Sequence, residues 1–311
     1  MSVVTFGEVL FDFTPKKSDK KLNNIKIEQF EANPGGAPAN LAAVLGKNDV
    51  DVSFIGKVGN DQFGDKLKDI LESFNVETTN LVKDNYYNTT LAFVHLDKEN
   101  DRSFSFFRNP GADTQITLDE INLDTLDKAD FFHFGSLSFT AEPIRSTTLD
   151  LLDYISNKNT LISYDPNLRE KLWTRLDEAK WWILKGMEYA DIVKVSKEEL
   201  EFITNKNDVV IGAEQLQKQF ELKLLIVTLG EEGCFYKTDK KSEFIDGESS
   251  KVIDTTGAGD VFYGTFLTHL VKNEKLDKTM NFNNVELAKY LKKANKAGAL
   301  SVGKKGAMTS I

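Results

Sequence analysis

The chain has 311 residues, 41% of them hydrophobic and 28% charged, and carries a formal net charge of −9. This composition supports a sizeable core and excludes a disordered chain, while the acidic balance excludes a broad basic face for nucleic acid. No apolar run approaches bilayer length, and the single cysteine, Cys234, excludes an internal disulfide and fits a reducing cytoplasm.

Residues 3–7 read as a short buried strand. The start of the chain lacks the basic and apolar blocks of a signal peptide, so a cytoplasmic, membrane-free protein is expected. Gly7-Glu8-Val9-Leu10-Phe11-Asp12 then places an acid just beyond the strand. Asp12 suits two adjacent hydroxyls of a sugar, and equally a solvated loop. Asn33-Pro34-Gly35-Gly36-Ala37-Pro38-Ala39-Asn40 follows a polar stretch. The paired glycines Gly35 and Gly36 let a ligand approach the backbone, and Asn40 both donates and accepts hydrogen bonds. A helix over 38–45 follows, so plain loop-to-helix punctuation competes.

Further strands are expected at 52–55, 131–134, 161–164, 192–195 and 224–228. Helices are expected at 63–74, 144–155, 176–187, 198–203 and 213–220. Apolar strands separated by amphipathic segments indicate a parallel sheet with helices on both faces. Ligands in such sheets gather at the carboxyl ends of the strands. Residues 13–34 and 86–112 break the pattern. The second stretch alternates around Lys98-Glu99-Asn100-Asp101 like a hairpin. Both are expected to form a β-lid outside the main sheet, able to exclude water or to make a homodimer contact. The whole chain, 1–311, reads as one domain that carries this lid.

Three strand ends carry polar groups. Asp165-Pro166-Asn167-Leu168-Arg169 aims Asn167 and Arg169 off the sheet. Lys194-Val195-Ser196-Lys197-Glu198-Glu199 reads as a helix N-cap, with Glu199 as the box partner of Ser196. The alternative is that Glu199 orders water around a phosphate-bound Mg²⁺. Thr228-Leu229-Gly230-Glu231-Glu232-Gly233 lines a nucleotide or merely joins two strands.

The most informative stretch is Asp254-Thr255-Thr256-Gly257-Ala258-Gly259-Asp260. It ends a β-rich run, Lys251-Val252-Ile253, and opens an apolar-periodic helix. Small residues bare the helix N-terminus, whose N–H groups and dipole favour an anion. Asp260 stands in that cradle, as a base would that prepares a hydroxyl to receive a phosphoryl group. A helix capped by Asp254 and the threonines is the plainer alternative. Gly298 to Lys305 imitates a P-loop but has Lys305 where Ser or Thr is required. His95, His133 and His269 show no metal-ligand spacing.

With these motifs in order, the chain resembles the ribokinase-like, or pfkB, carbohydrate kinases over nearly its full length. The Gly35 to Asn40 run is similar to the family's sugar motif, and Asp254 to Asp260 to its C-terminal signature. Segments at 107–113, 132–137, 163–169 and 192–199 resemble the fructokinase branch. The resemblance implies an α/β fold: a three-layer, doubly wound, mostly parallel sheet with a small β-sheet lid. It implies ATP as donor and the C6 hydroxyl of D-fructose as acceptor, with 2-keto-3-deoxygluconate or a nucleoside as alternatives. A non-catalytic sugar sensor is the reading from another class. Asp260 would be the base, ionised as an exposed Asp is, with Gly257, Ala258 and Gly259 as the anion hole. Asp12, Gly35, Gly36, Asn40, Phe106, Arg108 and Arg169 would hold the sugar. Asn167, Lys194, Ser196, Glu199, Thr228, Gly230, Gly233 and Asn295 would serve the nucleotide and its Mg²⁺. Asp254, Thr256, Ser301, Gly306 and Ser310 fall at positions matching a monovalent-cation site, such as one for K⁺. Many members have Asn where this chain has the shorter Ser196.

Overall fold

The structure, a computed structural model, describes residues 1–16, 19–96 and 102–311. The expected 98–101 turn lies outside the described residues.

The chain starts with β1 (Ser2–Phe6) and leaves for β2 (Leu10–Lys16), the short pair β3 (Lys21–Leu22) and β4 (Ile25–Lys26), and β5 (Gln29–Gly35). It returns through α1 (Ala37–Lys47), β6 (Asp51–Gly59), α2 (Gln62–Ser73), β7 (Val76–Glu77) and β8 (Leu81–Asp84). It leaves again for β9 (Leu91–Leu96) and β10 (Arg102–Phe107). Regular alternation follows: α3 (Asp124–Asp127), β11 (Phe131–Gly135), α4 (Ile144–Ser156), β12 (Leu161–Asp165), α5 (Leu176–Met187) and β13 (Ile192–Ser196). Helices α6 (Lys197–Thr204) and α7 (Val209–Gln219) then precede β14 (Leu224–Thr228), β15 (Gly233–Lys237) and β16 (Ser242–Asp246). The chain ends with α8 (Ala258–Asn273) and α9 (Leu287–Ser301).

The main sheet runs β16-β15-β14-β13-β12-β11-β1-β6-β7, with β8 paired to β6. It is parallel from β14 through β7, and the last two strands, β15 and β16, are antiparallel. Successive strand residues point to opposite faces, so each strand feeds two cores. Val3, Val52, Phe131, Leu161, Ile192 and Leu224 pack with α1, α2, α8 and α9. Val4, Phe132, Ile162, Val193 and Leu225 pack with α4, α5, α6 and α7. Near-continuous apolar runs in the sequence reflect this burial on both faces. No helix among the described residues is long and apolar enough to cross a membrane.

The two pattern-breaking stretches supply a separate four-stranded sheet, ordered β10-β9-β2-β5. It starts at Leu10, so Asp12 is a strand residue of the small sheet rather than part of a loop after β1. In register, Asp12 lies opposite Asn33 and beside Ala92, and Ala92 lies opposite Phe106. These residues share one face. The other face carries an aromatic cluster, Phe13 stacked on Phe93 at 4.6 Å with Phe30 and Phe107 edge-on to Phe93. One expectation fails here: Lys251-Val252-Ile253 is not a strand, and Val252 and Ile253 are 61% and 53% exposed. Its β-branched pattern finds no neighbouring strand to pair with, because β16 already ends the sheet.

Candidate active site

Asn40 and Asp260 are 220 residues apart and meet. Asn40 sits in the first turn of α1, and its Nδ2 donates to Asp260 Oδ2 at 2.7 Å. Asn167 Nδ2 reaches the other oxygen at 3.5 Å. Asn167 adopts a left-handed φ of 48°, one that Asn tolerates, and this turns its amide back over the strand end. Asp12 joins the group from the small sheet. A Cβ on Gly35 would strike its carboxylate, so a side chain there would displace Asp12. Arg169 is exposed and close enough to act on both Asp12 and Asp260.

Burial and crowding of like charge make these acids unusual. Burial pushes Asp260 up to about 6, Asp165 adds to the shift, and Asn40, Lys194 and Arg169 oppose it. Asp12 is likewise pushed up to about 6 by burial, with Arg169 opposing and Asp254 and Asp260 adding. Asp260 is therefore more basic than the exposed Asp assumed from sequence.

Asp260 belongs to the first turn of α8. The N-cap is Gly257, with φ 76° and no side-chain cap, so the capping expected from Asp254 and the threonines does not occur. Asp254 instead accepts from the Thr256 amide and hydroxyl and from the Gly306 amide. The bare helix start faces Lys194, whose ammonium lies 3.1 Å from where a Cβ on Gly259 would stand. Lys194 donates to Asp165 at 2.9 Å, and both are buried. Burial pulls the ammonium down, but Asp165, Glu199 and Asp260 outweigh it and hold it above the ordinary lysine value. Gly257, Ala258, Gly259 and Lys194 thus form a positive, sterically open corner beside Asp260.

Beyond this corner lies a cleft of about 260 Å³. Thr228, Gly230, Gly233 and Asn295 line it with Glu231, Gly247, Phe262 and Gly298. The Asn295 amide is committed to the Ile245 and Asp246 carbonyls, so it pins β16 and shapes the wall. Ser196 and Glu199 form the capping box, and the other Glu199 oxygen accepts from the Leu168 amide. Asp254, Thr256 and Gly306 make one hydrogen-bonded cluster. Ser301 and Ser310 donate within their own turns, to Gly298 and Ala307.

Arg108 is placed otherwise than expected for a substrate contact. Its Nε donates to Asp113 at 2.7 Å, Nη1 to Thr140 and Nη2 to the Leu137 carbonyl, with the side chain 4% exposed. Phe106 is half-buried, on the Asp12 face. His133 is a buried core residue bonded to Ser163 at 3.1 Å and, by burial, lowered to about 4. Burial likewise pushes the Cys234 thiol up to about 12, as befits a packing residue.

Two site residues, Asp165 and Glu8, escaped the sequence reading. Asp165 ends β12 beside Lys194 in the middle of the neighbouring β13, a charge pairing visible in the sequence but uninformative until the strands are known to be adjacent. Glu8 follows Gly7 at the end of β1 and is 4% exposed; only its position straight after a strand could have marked it.

Comparison with known proteins agrees with this geometry. Residues 1–311 match the pfkB family carbohydrate kinase description. Fructokinase-1 of Zea mays is 40% identical over 309 residues, covering 99% of this chain and 94% of that protein. Fructokinase-2 of Solanum lycopersicum is 40% identical over 99% of this chain and 92% of its own. A crystal structure of Xylella fastidiosa fructokinase with bound ATP superposes with a TM-score of 0.90 at 30% identity, covering 100% of this chain and 94% of that one. Vibrio cholerae fructokinase bound to fructose, ADP and calcium gives 0.86 at 32% identity, covering 99% and 95%. The full-length match, the bare helix start beside Asp260 and the sugar-motif asparagine bonded to that acid lead to one assignment: the chain belongs to the pfkB family of carbohydrate kinases.

Proposed function

We propose that the chain transfers the γ-phosphoryl group of ATP to the C6 hydroxyl of D-fructose, giving fructose 6-phosphate and ADP. The observation that carries this reading is the Asn40–Asp260 bond at 2.7 Å, which puts a buried carboxylate between the sugar motif and the helix start. Asp12, Gly35, Gly36, Asn40 and Arg169 hold the sugar. ATP lies along Thr228, Gly230, Gly233 and Asn295, with its γ-phosphate toward Lys194 and the N-terminus of α8. The small sheet acts as a lid that excludes water, which would otherwise compete as acceptor.

With its value raised to about 6, Asp260 is mostly ionised at neutral pH and more basic than an exposed Asp. It is still far too weak to deprotonate an alcohol in advance. The proton therefore passes to Asp260 as the new O–P bond forms and the bond to the β-phosphate oxygen breaks. The amides at 257–259 and the Lys194 ammonium offset the charge on the migrating group.

Mg²⁺ fits beside this corner: Asp165 keeps one buried carboxylate oxygen without a partner among the described residues, and Glu199 is next to it. Bound with the nucleotide, the ion would supply charge neutralisation, with Glu199 holding it through water. The carboxylate, hydroxyl and carbonyl oxygens of Asp254, Thr256, Ser301, Gly306 and Ser310 suit a monovalent cation such as K⁺. The aromatic outer face of the lid, with Phe107 65% exposed, suits a homodimer contact. The reaction as proposed runs in the cytoplasm. Committed to Asp113, Arg108 leaves Arg169 as the cation for a sugar acid, which favours fructose over 2-keto-3-deoxygluconate.

The test is a panel of acceptors with coupled ADP detection, run with and without Mg²⁺ and K⁺. Fructose should show the highest kcat/KM. A tenfold preference for another sugar, a sugar acid or a nucleoside would overturn the substrate; sugar binding without ADP release would overturn the reaction.

A further inference from the structure

Glu8 is a buried acid that the reaction as proposed does not use. Its Oε1 accepts the Ala37 amide at 2.9 Å. Its Oε2 is buried and has no hydrogen-bond partner among the described residues. Ala37 opens α1, and the N-cap before it, Gly36, offers no side chain. Glu8 therefore caps α1 from a different part of the chain. The fit is close: Gly36 has φ 106°, and a Cβ there would strike the Glu8 carbonyl. One helical turn further on, Asn40 bonds Asp260.

The surroundings tie this contact to the lid. Arg108 and Asp113 are the charged groups acting on Glu8, with its own amide and that of Ala37. Asp113 also accepts from Thr90 at 2.5 Å. The four passages of chain between the main and small sheets run through 7–9, 36, 85–90 and from 108 onward, and Glu8 with Gly36 and Ala37, and Asp113 with Thr90 and Arg108, tie residues of all four here. Burial, with a smaller push from Asp113, holds the Glu8 carboxyl at about 7 against Arg108 and the two amides. An acid kept half-unpaired inside a protein is unfavourable, and capping one helix is a job a serine at the N-cap does without that burden.

We propose that Glu8 is a positioning residue of the sugar site, seating the first turn of α1 so that Asn40 meets Asp260 and the sugar loop keeps its shape. The proposal rests on the sugar-binding reading of residues 35–40. Its energetic signature is selective. Losing a buried hydrogen bond to a carboxyl group should raise the fructose KM of E8A by about 10- to 100-fold. The ATP KM should stay within about threefold, because the nucleotide cleft is built from other elements. E8Q keeps an acceptor for Ala37 and should restore fructose KM to within about threefold of wild type. A37P removes the same bond from the donor side at a position where proline suits a helix start. It should reproduce E8A, and the double variant should be no worse than either single one.

Hydrogen exchange at Ala37, measured without sugar, separates seating from function. E8A should speed it and E8Q should not. Slow exchange in E8A overturns the seating while leaving the kinase assignment intact. Faster exchange in a chain whose wild type phosphorylates no sugar overturns the function and leaves the seating. Unchanged fructose KM in E8A and A37P, or fructose and ATP KM rising together in both, overturns the proposal. Should E8A fail to fold, A37P and E8Q carry the same comparison.

Discussion

The part of the cleft proposed to take the acceptor gathers Asp12, Asn40, Asn167, Arg169 and Asp260 from four separate segments, and its polar work is done by side chains. The part proposed to take the nucleotide is lined by Gly230, Gly233, Gly247, Gly298 and Phe262 along with polar Thr228, Glu231 and Asn295, so backbone and hydrocarbon form much of its surface. The first half crowds carboxylates and raises their basicity; the second keeps a shape. Substitutions in the first should therefore change chemistry, and those in the second should act mainly through backbone conformation.

The largest effect should come from D260N. Losing a positioned base lowers turnover by about 10²- to 10⁴-fold, whereas fructose and ATP affinities should hold within about threefold, because an Asn oxygen still accepts from Asn40. Steady-state kinetics with calorimetric binding checks this. Affinity falling in step with turnover would make Asp260 a structural member of the acceptor half. Wild-type turnover should itself fall as pH drops through about 6, where Asp260 takes up its proton.

The two arginines come next. Truncating Arg108 leaves Asp113 buried without its countercharge, held by Thr90 alone, and R108A should lose about 3–5 kcal/mol of stability in urea unfolding. Arg169 is exposed, so R169A should change stability by less than about 0.5 kcal/mol. Its fructose KM should rise about tenfold through loss of a charged hydrogen bond. Equal stability losses would erase the distinction between a hinge cation and a substrate cation.

These arginines also show what the sequence could and could not reveal. Both stand just past a strand end beside an Asn and a Pro, and nothing local separates them. Arg108 is tied to Asp113 and Thr140, and the second of those lies 32 residues away. The parallel sheet, its order of elements and the bare start of α8 were legible because they rest on local periodicity and on small residues at fixed spacing. Lys251-Val252-Ile253 misled because β-branched residues favour strands only where a partner strand exists. The raised basicity of Asp260 was invisible, since it comes first from burial and then from Asp165, which stands on a strand whose place beside α8 the sequence does not state. Asp165 and Glu8 were within view, but only their burial gives them meaning.

A third measurement concerns stability. Folded Asp260 titrates near 6 against 3.8 for the free side chain, so the folded chain binds this proton more tightly than the unfolded one. Stability from this group is complete below about 4 and is lost as pH rises through about 6. D260N removes the ionisable group and should be about 2–3 kcal/mol more stable than wild type at pH 8. The gap should close by about pH 4. Urea titrations across that range decide it, and a constant gap would mean that burial of Asp260 carries no penalty.

The smallest effect belongs to the nucleotide half, at Gly230. Its φ is 62°, in the left-handed region, yet a Cβ placed there meets nothing within 4 Å. Space is free and only conformation is constrained. G230A should then lose about 1 kcal/mol of backbone stability. ATP KM should move by less than about threefold. G230N should recover most of the stability, because Asn enters this region readily. Gly257 is the contrast: its φ is 76°, and a Cβ would come within 2.6 Å of the Ala307 side chain, so G257N should recover nothing. If G230A instead abolished ATP binding, the turn would be recognising the nucleotide through space that only a hydrogen atom leaves open, and the nucleotide half would depend on close fit as the acceptor half depends on Gly35.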